Sequence, residues 1–228
     1  MSCLNVVLLH PLPLDGSIWP RALWDLADAV VAPTLYSVGG SLTDWAAAAL
    51  ELTNAADLVV VGNSVGGSCA LELANLAPTR VRAVVLVGAK AGVRRDPVFR
   101  DETVRVLRED GVAMAWDRYW APLFAPDADP AIVARARSIA LGIDVEDHVN
   151  GVCAFHDRHD RSALLAELDI PVTVVRGQHD GIPKDPEQLA AALRHGRFVE
   201  VSGSGHFVPL EQPDQLVSIV DEAVRTIT

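Results

Sequence analysis

Several things are scarce in this chain, and each scarcity removes a class of protein. Cysteine occurs three times, as Cys3, Cys69 and Cys153. An odd number, widely spaced, with no C-x-x-C or Cys/His ligand spacing, argues against a disulfide framework or a zinc site. Basic residues are outnumbered: 19 Lys and Arg against 30 Asp and Glu give a formal net charge of −11. Nucleic-acid binding normally needs a basic face, so that partner class is set aside, and an anionic membrane surface is disfavoured. No apolar run approaches the ~20 residues that span a bilayer. The opening MSCLNVVLLHPLPL lacks a basic leader and a small-residue cleavage site. It is therefore expected to be a strand rather than a signal peptide, with a cytoplasmic location. Internal repeats and low-complexity linkers are also missing.

What is present is apolar and ordered. Of 228 residues, 50% are hydrophobic, enough for the core of one domain with a small insertion. Short β-branched runs alternate with helical patterns, as in a parallel sheet with crossover helices. Strands are expected at Leu4–Leu9, Ala29–Ala32, Asp57–Val61, Val81–Val87, Val172–Arg176 and Phe198–Val201. Helices are expected at about Ser17–Ala27 with Ser17 as N-cap, Ser41–Asn54, Val65–Ala77, Pro186–Leu193 and Pro213–Thr226. Between Lys90 and Leu168 the strand pattern stops and only helical stretches follow. The fold class is therefore α/β: a mostly parallel sheet of about six strands with an all-helical cap insertion. The expected division is a core of residues 1–89 and 169–228 and a cap of residues 90–168.

Gly62-Asn63-Ser64-Val65-Gly66 matches G-x-S-x-G between a buried strand and a helix. The glycines permit a sharp turn that exposes the serine hydroxyl, and the helix N-terminus favours negative charge nearby. A serine N-cap in a tight turn would look the same, so the assignment leans on two later loops. Asp180 follows the fifth expected strand in Gly177-Gln178-His179-Asp180, and His206 follows the sixth in Ser202-Gly203-Ser204-Gly205-His206. Loops at the carboxyl ends of parallel strands share one edge of the sheet, so the three residues can converge there. In that arrangement Ser64 is the nucleophile, His206 the base that removes its proton, and Asp180 the acid that orients the imidazole. His179 shares a loop with Asp180, a poor position for a relay. His10, His148, His156, His159 and His195 are expected to be structural or at the surface. Two backbone N–H groups should form an oxyanion hole: Val65 after the nucleophile, and Leu12 between Pro11 and Pro13, neither of which can donate.

The segments VVLLHPLPLDGSIW, VVVGNSVGGSCALELA, VTVVRGQHDGIP and VSGSGHFVPLEQPDQL, in this order, resemble the α/β-hydrolase superfamily over essentially the whole chain. Within it the sequence looks like small serine esterases, perhydrolase-type haloperoxidases, enol-lactone hydrolases and carbon–carbon bond hydrolases. The resemblance implies an acyl-enzyme mechanism without metal or cofactor, and a cap facing a small-molecule substrate. One departure is His10-Pro11, where the family usually has His-Gly, which puts the path of the oxyanion loop in question. Serine at the nucleophile position disfavours the epoxide hydrolases and haloalkane dehalogenases, which use aspartate there. Candidate pocket walls are Trp116, Tyr119, Trp120, Leu123 and Phe124 in the cap, with Leu14 and Trp19 beside the oxyanion loop. Packing of cap onto core explains the same pattern equally well.

The leading reading is hydrolysis of a small carboxylic ester or lactone. A second is a lyase or carbon–carbon bond hydrolase using the same groups for proton transfer, with a substrate carboxylate held by Arg94, Arg95, Arg100, Arg118 or Arg158. A third is a small-ligand receptor without catalysis. The oligomeric state is left open.

Overall fold

The computed structural model describes residues 3–93 and 95–227. Six strands, β1 (Leu4–Leu9), β2 (Ala29–Val31), β3 (Asp57–Asn63), β4 (Val81–Val87), β5 (Val172–Gly177) and β6 (Gly196–Val201), form one sheet in the order β2-β1-β3-β4-β5-β6. Every pair is parallel, with registers such as Val7 opposite Val60 and Val60 opposite Val84. Parallel strands need covered faces, and β1, β3 and β4 are apolar and buried almost throughout. Burying a Val or Leu side chain contributes about 1.5–3 kcal/mol, so this centre holds the site's scaffold rigid.

Two helices follow the alternation on the amino-terminal side: α1 (Leu42–Glu51), capped by the Ser41 hydroxyl on the Asp44 N–H, and α2 (Val65–Leu76). Helix α1 packs on α2, which lies against β3 and β4. After β4 comes the helical insertion: α3 (Pro97–Arg105), α4 (Gly111–Ala115), α5 (Pro130–Leu141), α6 (Val145–His156) and α7 (Ser162–Glu167). Wider π-helical turns follow α3 at Val106–Asp110 and α4 at Trp116–Trp120, the second carrying the aromatic stretch. The chain closes with α8 (Pro186–Ala191), the single turn α9 (Val208–Glu211) and α10 (Pro213–Arg225), which packs on β3 and β4.

The helix expected over Ser17–Ala27 does not form. Two short 3-10 turns, Gly16–Ile18 and Arg21–Asp25, stand there instead. Pro20 separates them, because its ring fixes φ and it has no N–H to donate. Asp15, not Ser17, is the cap, with its carboxylate accepting from the Ser17 N–H at 2.8 Å.

A buried ion pair ties insertion to core. Glu72 on α2 is 1% exposed and accepts from Arg161 Nε at 2.8 Å and Nη2 at 2.7 Å. That two-point geometry is what a guanidinium needs to repay desolvation of a carboxylate.

Candidate active site

Ser64 occupies the turn between β3 and α2 with φ 56° and ψ −116°. A serine held at positive φ is strained by about 1–3 kcal/mol, so the surroundings must enforce it. They do so by contact. A Cβ on Gly62 would stand 2.2 Å from the Gly66 carbonyl oxygen, and one on Gly66 would stand 2.0 Å from that of Leu9. The Ser64 N–H also donates to the Val87 carbonyl at 2.8 Å, which pins the turn to β4.

Asp180 and His206 meet beyond the ends of β5 and β6. His206 Nδ1 lies 2.7 Å from Asp180 Oδ2, with exposures of 2% and 6% for the two residues. The other carboxylate oxygen accepts from the Ile182 N–H at 2.9 Å, which fixes its plane. The pair exists because Gly88 has no side chain: at φ +57°, a Cβ there would come within 2.9 Å of both Asp180 Oδ2 and His206 Nδ1. The buried Asn63 amide donates to the carbonyls of Val87 and His206, both at 3.1 Å.

The histidine loop is braced from the insertion as well. The His206 N–H donates to the Leu123 carbonyl at 2.8 Å. Glu211 accepts from three backbone N–H groups: Ala125 at 2.8 Å, Gly205 at 3.0 Å and Phe207 at 3.1 Å. Its carboxylate therefore joins insertion, histidine loop and α9. Gly62, Gly66 and His206 belong to recognised motifs, whereas Asn63 and Glu211 carried no signal beyond lying inside those segments, and Gly88 carried none.

The loop after β1 presents the Leu12 N–H, which finds no protein acceptor among the described residues. Val65 opens α2, where the first N–H groups have no intrahelical acceptor. Pro11 does not disorder this loop. Its carbonyl accepts from the Leu14 N–H at 3.0 Å and the Tyr36 hydroxyl at 3.3 Å, and His10 Nδ1 lies 3.2 Å away. The Tyr36 hydroxyl also donates to the Leu14 carbonyl at 2.6 Å. His10 Nε2 accepts from the Leu35 N–H at 3.1 Å, so the proton of the neutral ring sits on Nδ1. Burial lowers the His10 pKa to about 4, keeping the ring neutral.

Ser64, His206 and Leu12 line one cavity of about 460 Å³. Tyr119, Trp120 and Leu123 line it from the insertion, together with Phe99, Val152 and Phe155. Leu14, Trp19, Trp116 and Phe124 do not. Leu14 is fully buried, Trp19 is 5% exposed, Trp116 is 1% exposed, and Phe124 stacks on Phe207 with ring centroids 4.7 Å apart. These four lie in the buried core, where large apolar side chains usually sit. A larger depression of about 850 Å³ lies at the opposite edge, near Val81 and Pro171 at the starts of β4 and β5, remote from every residue above.

Of the arginines considered for a substrate carboxylate, only Arg158 lines the Ser64 cavity. Arg100 pairs with Asp101 and Asp157, and Arg118 pairs with Glu102. Arg95 is exposed, and Arg94 lies outside the described residues. His179, His159 and His195 are exposed, His148 is buried with Nε2 2.9 Å from the Ala140 carbonyl, and His156 lines the cavity. Among the described residues no group of three or more His, Cys, Asp or Glu side chains could hold a metal ion, and no helix is long and apolar enough to cross a membrane.

The model of the alpha/beta hydrolase family matches residues 6–219, and the chain belongs to that family. It is similar to Lipase LipV of Mycobacterium tuberculosis, at 28% identity over 95% of this chain and 91% of the relative. It is also similar to the pimeloyl-[acyl-carrier protein] methyl ester esterase of Aromatoleum aromaticum, at 28% identity over 97% of this chain and 98% of the relative. Among solved structures, the enol-lactonase of Burkholderia xenovorans LB400 superposes with a TM-score of 0.88, covering 99% of this chain and 92% of that one at 21% identity, a likeness of fold.

Proposed function

We propose that this chain hydrolyses a small carboxylic ester or lactone through an acyl-enzyme on Ser64. The observation that carries the reading is the buried His206–Asp180 pair at 2.7 Å, opening onto the cavity that the strained Ser64 also lines. His206 removes the Oγ proton as Oγ attacks the ester carbonyl, and Asp180 accepts the Nδ1–H bond and stabilises the imidazolium. The negative charge that develops on the carbonyl oxygen is met by the N–H groups of Leu12 and Val65 and by the N-terminus of α2. Collapse of the tetrahedral adduct releases the alcohol, which takes its proton from His206. Water, activated by the same imidazole, then returns Ser64 and the free acid. Nucleophile, base and oxyanion donors are all protein groups, so the reaction needs no cofactor.

Hydrolysis of p-nitrophenyl esters from acetyl to octanoyl, and of simple lactones, tests this. Wild-type turnover that falls by at least about 10³-fold in Ser64→Ala supports it. Undiminished turnover in the variant overturns it, as does a wild type inactive on every ester and lactone offered. Relatives named as a lipase and as an esterase support ester cleavage.

A further inference from the structure

Two buried or half-buried cations share the cavity of Ser64 and His206, and neither has a carboxylate partner at ion-pair distance among the described residues: Lys90 and Arg158. The contrast with Glu72 and Arg161 is informative, because there the chain pairs a buried charge at two points. Arg158 is 8% exposed and donates only to the neutral carbonyls of Phe155 at 2.5 Å and Gly92 at 2.8 Å, leaving Nε unpartnered. Its guanidinium lies 4.0 Å from the centroid of the Phe155 ring, which holds it against an apolar wall of the cavity. Burial lowers the Arg158 pKa to about 10. Burial also lowers that of Lys90, the charges of Arg158 and Lys184 lower it further, and that of Asp180, which is itself paired with His206, raises it. Lysine occurs only at positions 90 and 184 in the whole chain, so both act on this one region of a protein of net charge −11. The carboxylates nearby are committed elsewhere. Asp96 lines the cavity but is exposed and caps α3 through the Phe99 N–H at 2.9 Å. Asp160 accepts from the N–H groups of Ser162 at 2.8 Å and Val93 at 3.3 Å. Desolvated, unpaired cations are unfavourable until something negative enters.

We infer that the substrate of this cavity carries a free carboxylate, seated by Lys90 and Arg158, so that the enzyme prefers half-esters of short dicarboxylic acids to neutral esters of the same length. This rests on the hydrolytic reading of the same site and names its substrate class. A charged hydrogen bond to a desolvated partner is worth about 1.5–3 kcal/mol, or roughly 10- to 100-fold in kcat/KM.

The test compares monomethyl glutarate and monomethyl adipate with methyl valerate and methyl hexanoate by acid release, in wild type, Lys90→Met and Arg158→Lys. A second measurement records the thermal midpoint of each protein with and without adipate. The expected result is a kcat/KM ratio of half-ester to neutral ester of about tenfold or more that collapses in Lys90→Met and falls in Arg158→Lys. Adipate should raise the wild-type midpoint and leave that of Lys90→Met unchanged. A wild type that cleaves neutral esters as well as half-esters, or a ratio indifferent to both variants, overturns the inference while leaving the hydrolase reading intact. If no ester is cleaved but adipate binding depends on Lys90, the carboxylate site stands and the hydrolase reading fails. If adipate neither binds nor is any ester cleaved, both fall.

Discussion

Gly88 has no side chain, and the Asp180–His206 pair occupies the space that one would fill. The same is true of Gly62 and Gly66 around Ser64: at each, a Cβ would collide with backbone. The site is thus shaped as much by absent atoms as by the three groups proposed to react. Within it, the task proposed for Asp180 is narrower than that of Ser64 or His206: holding one ring tautomer and balancing one charge. Asp180→Asn preserves the shape but reverses a hydrogen-bond role, because an amide nitrogen facing Nδ1 favours the wrong tautomer. Steady-state kinetics on a p-nitrophenyl ester should show kcat falling by about 10⁴-fold with little change in KM. A loss below about tenfold would remove Asp180 from the mechanism.

The elements place these residues, and most of them are legible in the chain. Each strand except the last begins where a β-branched apolar run begins, and Ser64, Asp180 and His206 all follow strand ends because loops at one edge of a parallel sheet collect there. What failed was local. Pro20 splits the stretch after β1 into two 3-10 turns, a conflict between an apolar pattern and a backbone that cannot donate. Leu14, Trp19, Trp116 and Phe124 read as pocket walls because residue type cannot separate a wall from the layer behind it. The brace through Glu211 was invisible for another reason: beyond its neighbours Gly205 and Phe207 it reaches Ala125, which is distant along the chain. Glu211→Ala leaves those three N–H groups without their acceptor, which should lower stability by about 2–4 kcal/mol and activity more than stability explains. Urea denaturation alongside kcat checks this, and Glu211→Gln should recover part of both. Unchanged values in Glu211→Ala would mean that solvent substitutes for the carboxylate.

At the scale of the molecule, the buried histidines set a pH dependence. His10 has its pKa lowered to about 4 by burial, and burial moves His148 and His156 the same way. As pH falls below about 6.5, the unfolded chain takes up protons that the folded chain refuses. The His10 contribution is therefore complete above about pH 6.5, declines towards about pH 4, and falls no further once the folded ring protonates as well; His148 and His156 act in the same direction. Within that window His10 changes the unfolding free energy by about 1.4 kcal/mol per pH unit. Urea midpoints should drop steadily from about pH 7 to pH 5, and a flat or rising profile would contradict the burial seen here.

A serine nucleophile must form a covalent bond with the acyl group during turnover. Acid-quenching wild-type protein during turnover of p-nitrophenyl acetate and mapping the peptides by mass spectrometry tests it most directly. An acetyl group is expected on the peptide containing Ser64 and absent from the quenched Ser64→Ala variant. Acetyl on another residue, or steady turnover with Ser64 never modified, would contradict it.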